Sequence, residues 1–342
     1  MKRKILVSWP GFTGYMGACW QALARVADVR IFIEPSPLEQ QFDCSDLAGL
    51  AWTRVEGPAA IADAIRAAQA FAPDLVFFCG WSTPLSRAFA QAPFVAARKV
   101  LAFDMPWEWR IRKILARWAL HPRLRHFDAA FVPGRCTARY ARWLGFGAHV
   151  VMGSNPSGWE RFSRVKPGPR GFAFVGRFAQ VKGIDVLLKA YALYRTRTAS
   201  PWPLELIGSG DLPGFVFGEG VRVRGFVSPE DLPSALSETA CLVLPSRWEP
   251  WGVSAAEAMS AGLATILSAA CGLVSDVSPT RVVRPGDIAG LAKAMLAVER
   301  LSAADRAAES ARVRPLMAKY SAADWAARVL KFVRAEIRRE GR

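Results

Sequence analysis

Short apolar runs of strand length, set apart by stretches with helical spacing, constrain this chain more than any other feature of its sequence. Ile5–Ser8, Val29–Ile33, Trp52–Val55, Leu75–Phe78, Val100–Phe103, Ala129–Val132 and Val150–Met152 read as strands, and helical patterns such as Ala59–Phe71 and Pro84–Ala90 fill the gaps. That alternation is the pattern of a doubly wound parallel sheet. A second alternation starts at Phe172–Val175 and continues through Leu204–Ile207, Val221–Arg224, Cys241–Leu244, Ala264–Leu267 and Arg281–Val283, with helices such as Ile184–Arg195 and Leu291–Leu301 between them. The polar, turn-rich residues from Met152 to Gly171 read as a linker. Two α/β domains are therefore expected, residues 1–160 and 161–320. A closing segment, 321–342, contains a helix over Ala322–Glu340 with Trp325, Val329, Phe332, Val333 and Ile337 on one face, suited to covering the first domain.

Composition narrows the class. A chain of 342 residues, 52% hydrophobic and 22% charged, can bury two cores and is far from disordered. Its six Cys are scattered without a CxxC pair and read as small core residues in a reducing cytosol. The apolar run after Met1-Lys2-Arg3-Lys4 is too short for a signal peptide, and the longest uncharged run, Ala258–Ser275, is rich in Ala, Gly and Ser, so no membrane span is expected. The net charge of +16 is unevenly placed: between Arg98 and Arg142 stand 11 Lys and Arg against three acids, Asp104, Glu108 and Asp128. Such a segment suits an anionic partner, whether nucleic acid, an anionic membrane surface or a phosphorylated substrate. No nucleic-acid module is present in the sequence, and nucleic acid is not expected as a partner. Three His and no His/Cys cluster make a protein-borne metal or other cofactor unexpected.

The chemistry concentrates in Pro245–Gly262. This stretch lies between the runs Cys241–Leu244 and Ala264–Leu267, so its polar loop sits at a strand's carboxyl end and leads into a helix. Open α/β sheets bind ligands at that edge, and a helix N-terminus there favours an anion. Glu249 and Glu257 flank the helix start at Gly252 and Val253. Beside a diphosphate they are useful only if aimed at hydroxyl groups on either side of it, the layout of a nucleotide sugar. Ser254-Ala255-Ala256-Glu257 is also a capping-box pattern, in which the glutamate merely caps its own helix. A matching loop, Gly176 to Ile184, follows the strand Phe172–Val175 and brings Arg177 and Lys182 to the same edge. In the first domain, Ser8–Tyr15 holds Gly11 and Gly14, either a ligand-approach loop or a plain tight turn.

Gly176-Arg177 with Lys182-Gly183, Leu206-Ile207-Gly208-Ser209-Gly210, Arg224-Gly225-Phe226-Val227, and Pro245-Ser246 with Glu249-Pro250-Trp251-Gly252 and Glu257-Ala258-Met259 follow in an order and spacing that resembles the donor domain of GT-B fold glycosyltransferases of family 4. The resemblance covers residues from about Phe172 to Asp276. It implies two Rossmann-like domains facing across a cleft, and a retaining transferase that moves a sugar from a nucleoside diphosphate sugar to a glycan or lipid-linked acceptor. It further implies that Arg177 and Lys182 bind the diphosphate and stabilise it as it leaves, that Glu249 contacts the donor sugar, and that Glu257 takes the ribose hydroxyls. The backbone of Trp251, Gly252 and Val253 would meet the phosphates, and that of Phe226 and Val227 the base; Gly14 and Gly208 belong to the donor-binding loops. Many members of the family carry a His after a mid-sheet strand of the first domain. Here Asp104 follows Leu101-Ala102-Phe103, as a base or orienting group for the acceptor, or as a residue that merely ends the strand. A nucleotide-sugar epimerase and a non-catalytic nucleotide-sugar-binding protein remain as alternatives.

From Trp107 to Trp118 a helix is expected, with Trp107, Ile111, Ile114 and Trp118 on one face and Arg110, Lys113 and Arg117 on another. It is either a crossover helix covering the sheet or an interfacial helix at anionic lipid. The expected location is cytoplasmic, with peripheral attachment to the inner membrane face in the second case.

Overall fold

The computed structural model describes residues 2–11, 14–35, 47–108, 110–210, 217–279 and 281–334. The first domain runs β1 (Lys4–Pro10), α1 (Gly14–Val26), β2 (Asp28–Glu34), β3 (Ala51–Arg54), α2 (Gly57–Phe71), β4 (Leu75–Cys79), α3 (Pro84–Gln91), β5 (Arg98–Ala102), α4 (Ile111–Leu124), β6 (Ala129–Val132), α5 (Arg135–Ala141), a π-helical turn (Arg142–Phe146) and β7 (Val150–Met152). All its strands are parallel, in the order β3-β2-β1-β4-β5-β6-β7. Successive residues of each strand point to opposite faces. Ile5, Val7 and Phe77 therefore join α1 on one side, while Leu6, Val76 and Phe78 meet α2, α3 and α5 on the other.

The second domain runs α6 (Trp159–Phe162), β8 (Phe172–Val175), a 3₁₀ turn (Gln180–Lys182), α7 (Ile184–Arg195), β9 (Leu204–Ile207), β10 (Val221–Gly225), α8 (Leu232–Ser237), β11 (Cys241–Leu244), α9 (Val253–Ala261), β12 (Ala264–Ser268), α10 (Val274–Val277), β13 (Arg281–Val283), α11 (Ile288–Glu299) and α12 (Ala303–Ala318). Its sheet is parallel as well, ordered β10-β9-β8-β11-β12-β13. From β8 the chain winds outward to one edge through β9 and β10, then returns beside β8 and winds to the other through β12 and β13. The direction reverses between β8 and β11, and that crevice at the strands' carboxyl ends is where such sheets take ligands.

The last helix, α13 (Ala322–Arg334), belongs to the first domain. Trp325, Val329 and Phe332 are buried against Phe77 and Phe131, and the Trp325 indole N–H donates to the Ser154 carbonyl at 2.8 Å. Val333 packs at the margin of the same core, and Ile337 lies outside the described residues.

Two expectations need correction. The domain boundary falls between Pro156 and Ser157 and, on the return, between Ser321 and Ala322. The turn-rich stretch after it is packed rather than a free linker: Phe162 is buried in the second core, and the Ser157 hydroxyl donates to the Met317 carbonyl at 2.9 Å. Gly158 serves tight packing there, since a Cβ on it would collide with the Phe162 ring. The helix expected from Trp107 begins only at Ile111, with Arg110 as its N-cap. Trp107 is held outside it, against the Tyr140 and Trp143 rings. Trp109 lies outside the described residues. Among the described residues no helix is long and apolar enough to cross a membrane.

Candidate functional site

Close loop packing at the β8/β11 crevice assembles the site. Gly183 adopts φ +72°, and a Cβ there would sit 2.4 Å from the Pro245 carbonyl oxygen, so only glycine lets the loop after β8 lie on the loop after β11. Gly208, φ +143°, is pressed against Gly176 in the same way, its hypothetical Cβ 2.0 Å from the Gly176 carbonyl oxygen. Gly208 thus shapes the wall of the site through loop contact. The loops are also pinned by Arg247, whose guanidinium makes paired bonds of 2.6 and 2.5 Å to the Asp185 carboxylate and a third, of 2.8 Å, to the Gln180 carbonyl. That guanidinium holds the Asp185 carboxyl below the usual range.

The packing places Lys182 on Glu249, Nζ to Oε2 2.5 Å, with the Ser246 hydroxyl at 3.3 Å from the same oxygen. Glu249 is 7% exposed, and its backbone is locked by a bridge to Cys271: its N–H donates to the Ala270 carbonyl and its carbonyl accepts from Gly272 N–H. A carboxylate so buried would be costly without its ammonium. Arg177, on the same loop as Lys182, is exposed and has no ion pair or hydrogen bond among the described residues.

Helix α9 follows, with Gly252 as its N-cap at φ +103° and no side chain capping it. Its first N–H groups, at Val253, Ser254 and Ala255, have no intrahelical acceptor. The capping-box alternative for Glu257 is therefore overturned. Ser254 and Glu257 both lie inside the helix, and Glu257 stands more than a turn past the N-cap, beyond reach of it. Its side chain is half-buried, with Cγ beside Gly158, and has no hydrogen bond among the described residues; burial pushes its pKa up to about 8 against the weaker opposing pull of Arg161. The Trp251 indole is buried against Tyr320, which leaves only the backbone of Trp251 to face a ligand. Phe226 is exposed and Val227 half-buried just past the carboxyl end of β10.

One edge of the second sheet thus carries Arg177, Lys182, Gly208, Phe226, Val227, Glu249, Trp251, Gly252, Val253 and Glu257, which supply two cations, two carboxyls and open helix donors. Asp104 and Gly14 belong to the first domain. Asp104 is exposed just past the carboxyl end of β5, and Gly14 is the first residue of α1, next to residues 12 and 13, which lie outside the described residues. Sequence reasoning missed Arg247 and Asp185; an Arg inside the Pro245–Gly262 motif and an acid two residues after Gly183 were the available signal. Among the described residues no group of three His, Cys, Asp or Glu side chains is placed to hold a metal.

Residues 169–300 match the profile of the family described as Glycosyl transferases group 1. An uncharacterized glycosyltransferase of Methanocaldococcus jannaschii is 34% identical over 124 residues, 34% of this chain and 31% of that protein. Glycogen synthase of Mycobacterium tuberculosis is 32% identical over 163 residues, 44% of this chain and 39% of the synthase. These matches span between about a third and two fifths of the curated relatives' length. Among solved structures, HepE of Anabaena, crystallised with UDP and glucose, has a TM-score of 0.74 at 13% identity and covers 98% of this chain and 100% of that one. Sucrose-phosphate synthase of Thermosynechococcus elongatus has a TM-score of 0.72 at 19% identity, covering 97% and 98%. At these identities the likeness is one of fold: the chain has the GT-B architecture of two Rossmann-like parallel-sheet domains.

Proposed function

We propose that this chain is a retaining glycosyltransferase that moves a sugar from a nucleoside diphosphate sugar to a glycan or lipid-linked acceptor, working in the cytoplasm at an anionic membrane surface. One observation carries the donor half of the reading: a half-buried Lys182 paired with the buried Glu249 at the β8/β11 crevice, next to the open N-terminus of α9. The diphosphate would lie against the α9 N–H groups, with Arg177 and Lys182 on its oxygens. Glu257 would take the ribose hydroxyls, Glu249 those of the donor sugar, and the backbone of Phe226 and Val227 the base.

As the bond from the sugar carbon to the phosphate oxygen breaks, negative charge grows on the departing diphosphate. Fixed positive groups that meet it are worth roughly 10²- to 10³-fold each, by analogy with oxyanion donors. In the free protein Lys182 neutralises Glu249, so the buried carboxylate is never left alone. On donor binding Lys182 would turn to the phosphate, and the freed Glu249 oxygen would accept from sugar hydroxyls. No metal or cofactor enters this scheme. Asp104 would orient or deprotonate the acceptor hydroxyl.

UDP is the natural first probe, since the Anabaena neighbour was crystallised with it. Arg177→Ala should weaken UDP about 10- to 100-fold, the size of a lost charge-assisted bond, and leave uridine unchanged. Arg177 is exposed and unpaired among the described residues, so the variant should fold. Glu257 must ionise to accept from two hydroxyls, so wild-type UDP affinity should rise as pH climbs toward about 8, with a proton released, and this dependence should vanish in Glu257→Gln. Calorimetry showing unchanged UDP affinity in Arg177→Ala would sink the assignment. Mass spectrometry and NMR of products from a panel of nucleotide sugars, with and without acceptor, separate the rivals: a sugar joined to the acceptor means a transferase, a free sugar inverted at one ring carbon without acceptor means an epimerase, and no turnover means a binding protein.

A further inference from the structure

Helix α4 presents its apolar stripe to solvent. Ile111, Leu115 and Trp118 recur at the spacing that lines one side of a helix, and they are 73%, 54% and 62% exposed; Pro122, one turn on, is exposed with them. The opposite side, Lys113, Ala116, Leu120 and Leu124, faces the domain, and of these only Leu124 is fully buried. The helix is kept off the sheet by the π-helical turn and by aromatic rings: Trp143 donates its indole N–H to the Ile114 carbonyl at 3.3 Å, and the Lys113 ammonium lies 4.5 Å from the centre of the Tyr140 ring. The alternative in which the apolar stripe of this helix docks on the sheet is thereby overturned.

The rim of the exposed stripe is cationic. No acidic residue occurs in α4; Arg112 and Arg123 flank the stripe on one side, and Arg125 caps its C-terminal end. All three are exposed and form no ion pair among the described residues. Arg117, on the other flank, rests its guanidinium over the Trp143 ring, whereas Arg110 is partly neutralised by Glu108 at 3.3 Å. An occupant must therefore be apolar under Ile111, Leu115 and Trp118 and anionic under Arg112, Arg123 and Arg125. A second copy of this chain does not fit, because each copy carries a net charge of +16 and would set arginine against arginine.

We propose that α4 lies flat in the interface of an anionic bilayer. The Ile111, Leu115 and Trp118 side chains would enter the acyl boundary, and Arg112, Arg123 and Arg125 would sit at the lipid phosphates. This inference stands apart from the donor reading. A chain that bound vesicles through α4 and transferred no sugar would keep the one and lose the other.

The test is co-sedimentation of the full chain with phosphatidylcholine vesicles, with and without phosphatidylglycerol, at low and high salt. Wild type should bind only the anionic vesicles, and binding should fall steeply with salt. Each arginine removed should weaken it about fivefold. Ile111→Ser, Leu115→Ser and Trp118→Ser together should abolish binding with all charges kept. Because these side chains are exposed, the triple variant should melt like wild type. Quenching of tryptophan fluorescence by brominated lipid should drop in Trp118→Phe. The proposal is overturned if wild type ignores anionic vesicles at low salt. It is equally overturned if the triple variant binds as well as wild type, which would mean diffuse adsorption of a basic protein. Light scattering that shows a dimer dissolved by the triple variant would make the occupant a second copy and overturn it too.

Discussion

Helices α4 and α13 belong to the same domain, have nearly the same length, and each carries a tryptophan in an apolar stripe among basic residues. They end up opposite. In α13 the stripe is buried, with Trp325 1% exposed against the first sheet, whereas in α4 Trp118 is 62% exposed. The difference lies in what each helix meets. On the face that holds α1, the sheet's Phe77 and Phe131 are covered by Trp325 and Phe332. On the other face α2, α3, α5 and the π-helical turn already cover the strands, so α4 rides on the Trp143 and Tyr140 rings. Periodicity reveals that a helix has an apolar side; only the occupancy of the sheet decides where that side points.

The largest test of this contrast is Trp325→Ala. It removes a buried indole that touches two rings and strands the Ser154 carbonyl, so it should cost about 3–5 kcal/mol by chemical denaturation. If the loss were no greater than at Trp118, the two helices would not differ energetically and the comparison would fail.

The same contrast marks what the sequence could and could not tell. Strands such as Ala129–Val132 and Cys241–Leu244 were legible to the residue because a strand buried on both faces is an unbroken apolar run with turn residues at its ends. The loops after β8 and β11 were legible from the strand ends they follow, whereas the backbone-on-backbone packing that Gly183 and Gly208 permit appears only in the folded structure. The Arg247–Asp185 clamp was not: its partners lie 62 residues apart and meet only after two loops pack. Glu257 was open to misreading because Ser254-x-x-Glu257 is a cap only if Ser254 is the N-cap, and the chain enters the helix at Gly252 instead. For α4, Trp107 fits the helical period and lies outside the helix, its ring held by Tyr140 and Trp143. Apolar spacing alone does not separate those two outcomes.

A smaller effect is expected at Leu124, the fully buried residue of α4. Leu124→Ala should cost roughly 2–3 kcal/mol, the low end of the Leu→Ala range, because the neighbouring inner residues Ala116 and Leu120 are only partly packed and can follow the vacated space. A loss as large as that at Trp325 would mean that α4 is anchored as firmly as α13. A loss near zero would mean that α4 is held by its ring contacts alone. Thermal or denaturant unfolding of the single variant decides between them.

The smallest effect should come from Trp118→Ala. Its indole is mostly in water and its recorded ring neighbour, Trp143, lies 6.5 Å away between centroids, so truncation removes little buried area. Alanine also has the higher helix propensity, worth a few tenths of a kcal/mol in the opposite direction. The two terms nearly cancel, and unfolding free energy in water should change by no more than about 0.5 kcal/mol. The sign of the comparison then reverses in the presence of anionic vesicles: Trp118→Ala should reduce the vesicle-induced rise in unfolding midpoint, because a bilayer that binds only the folded helix stabilises it by mass action. Trp325, already buried inside the domain, has nothing to offer a bilayer. A destabilisation of several kcal/mol in plain buffer at Trp118 would show that the stripe is already covered, and that α4 and α13 are the same kind of helix after all.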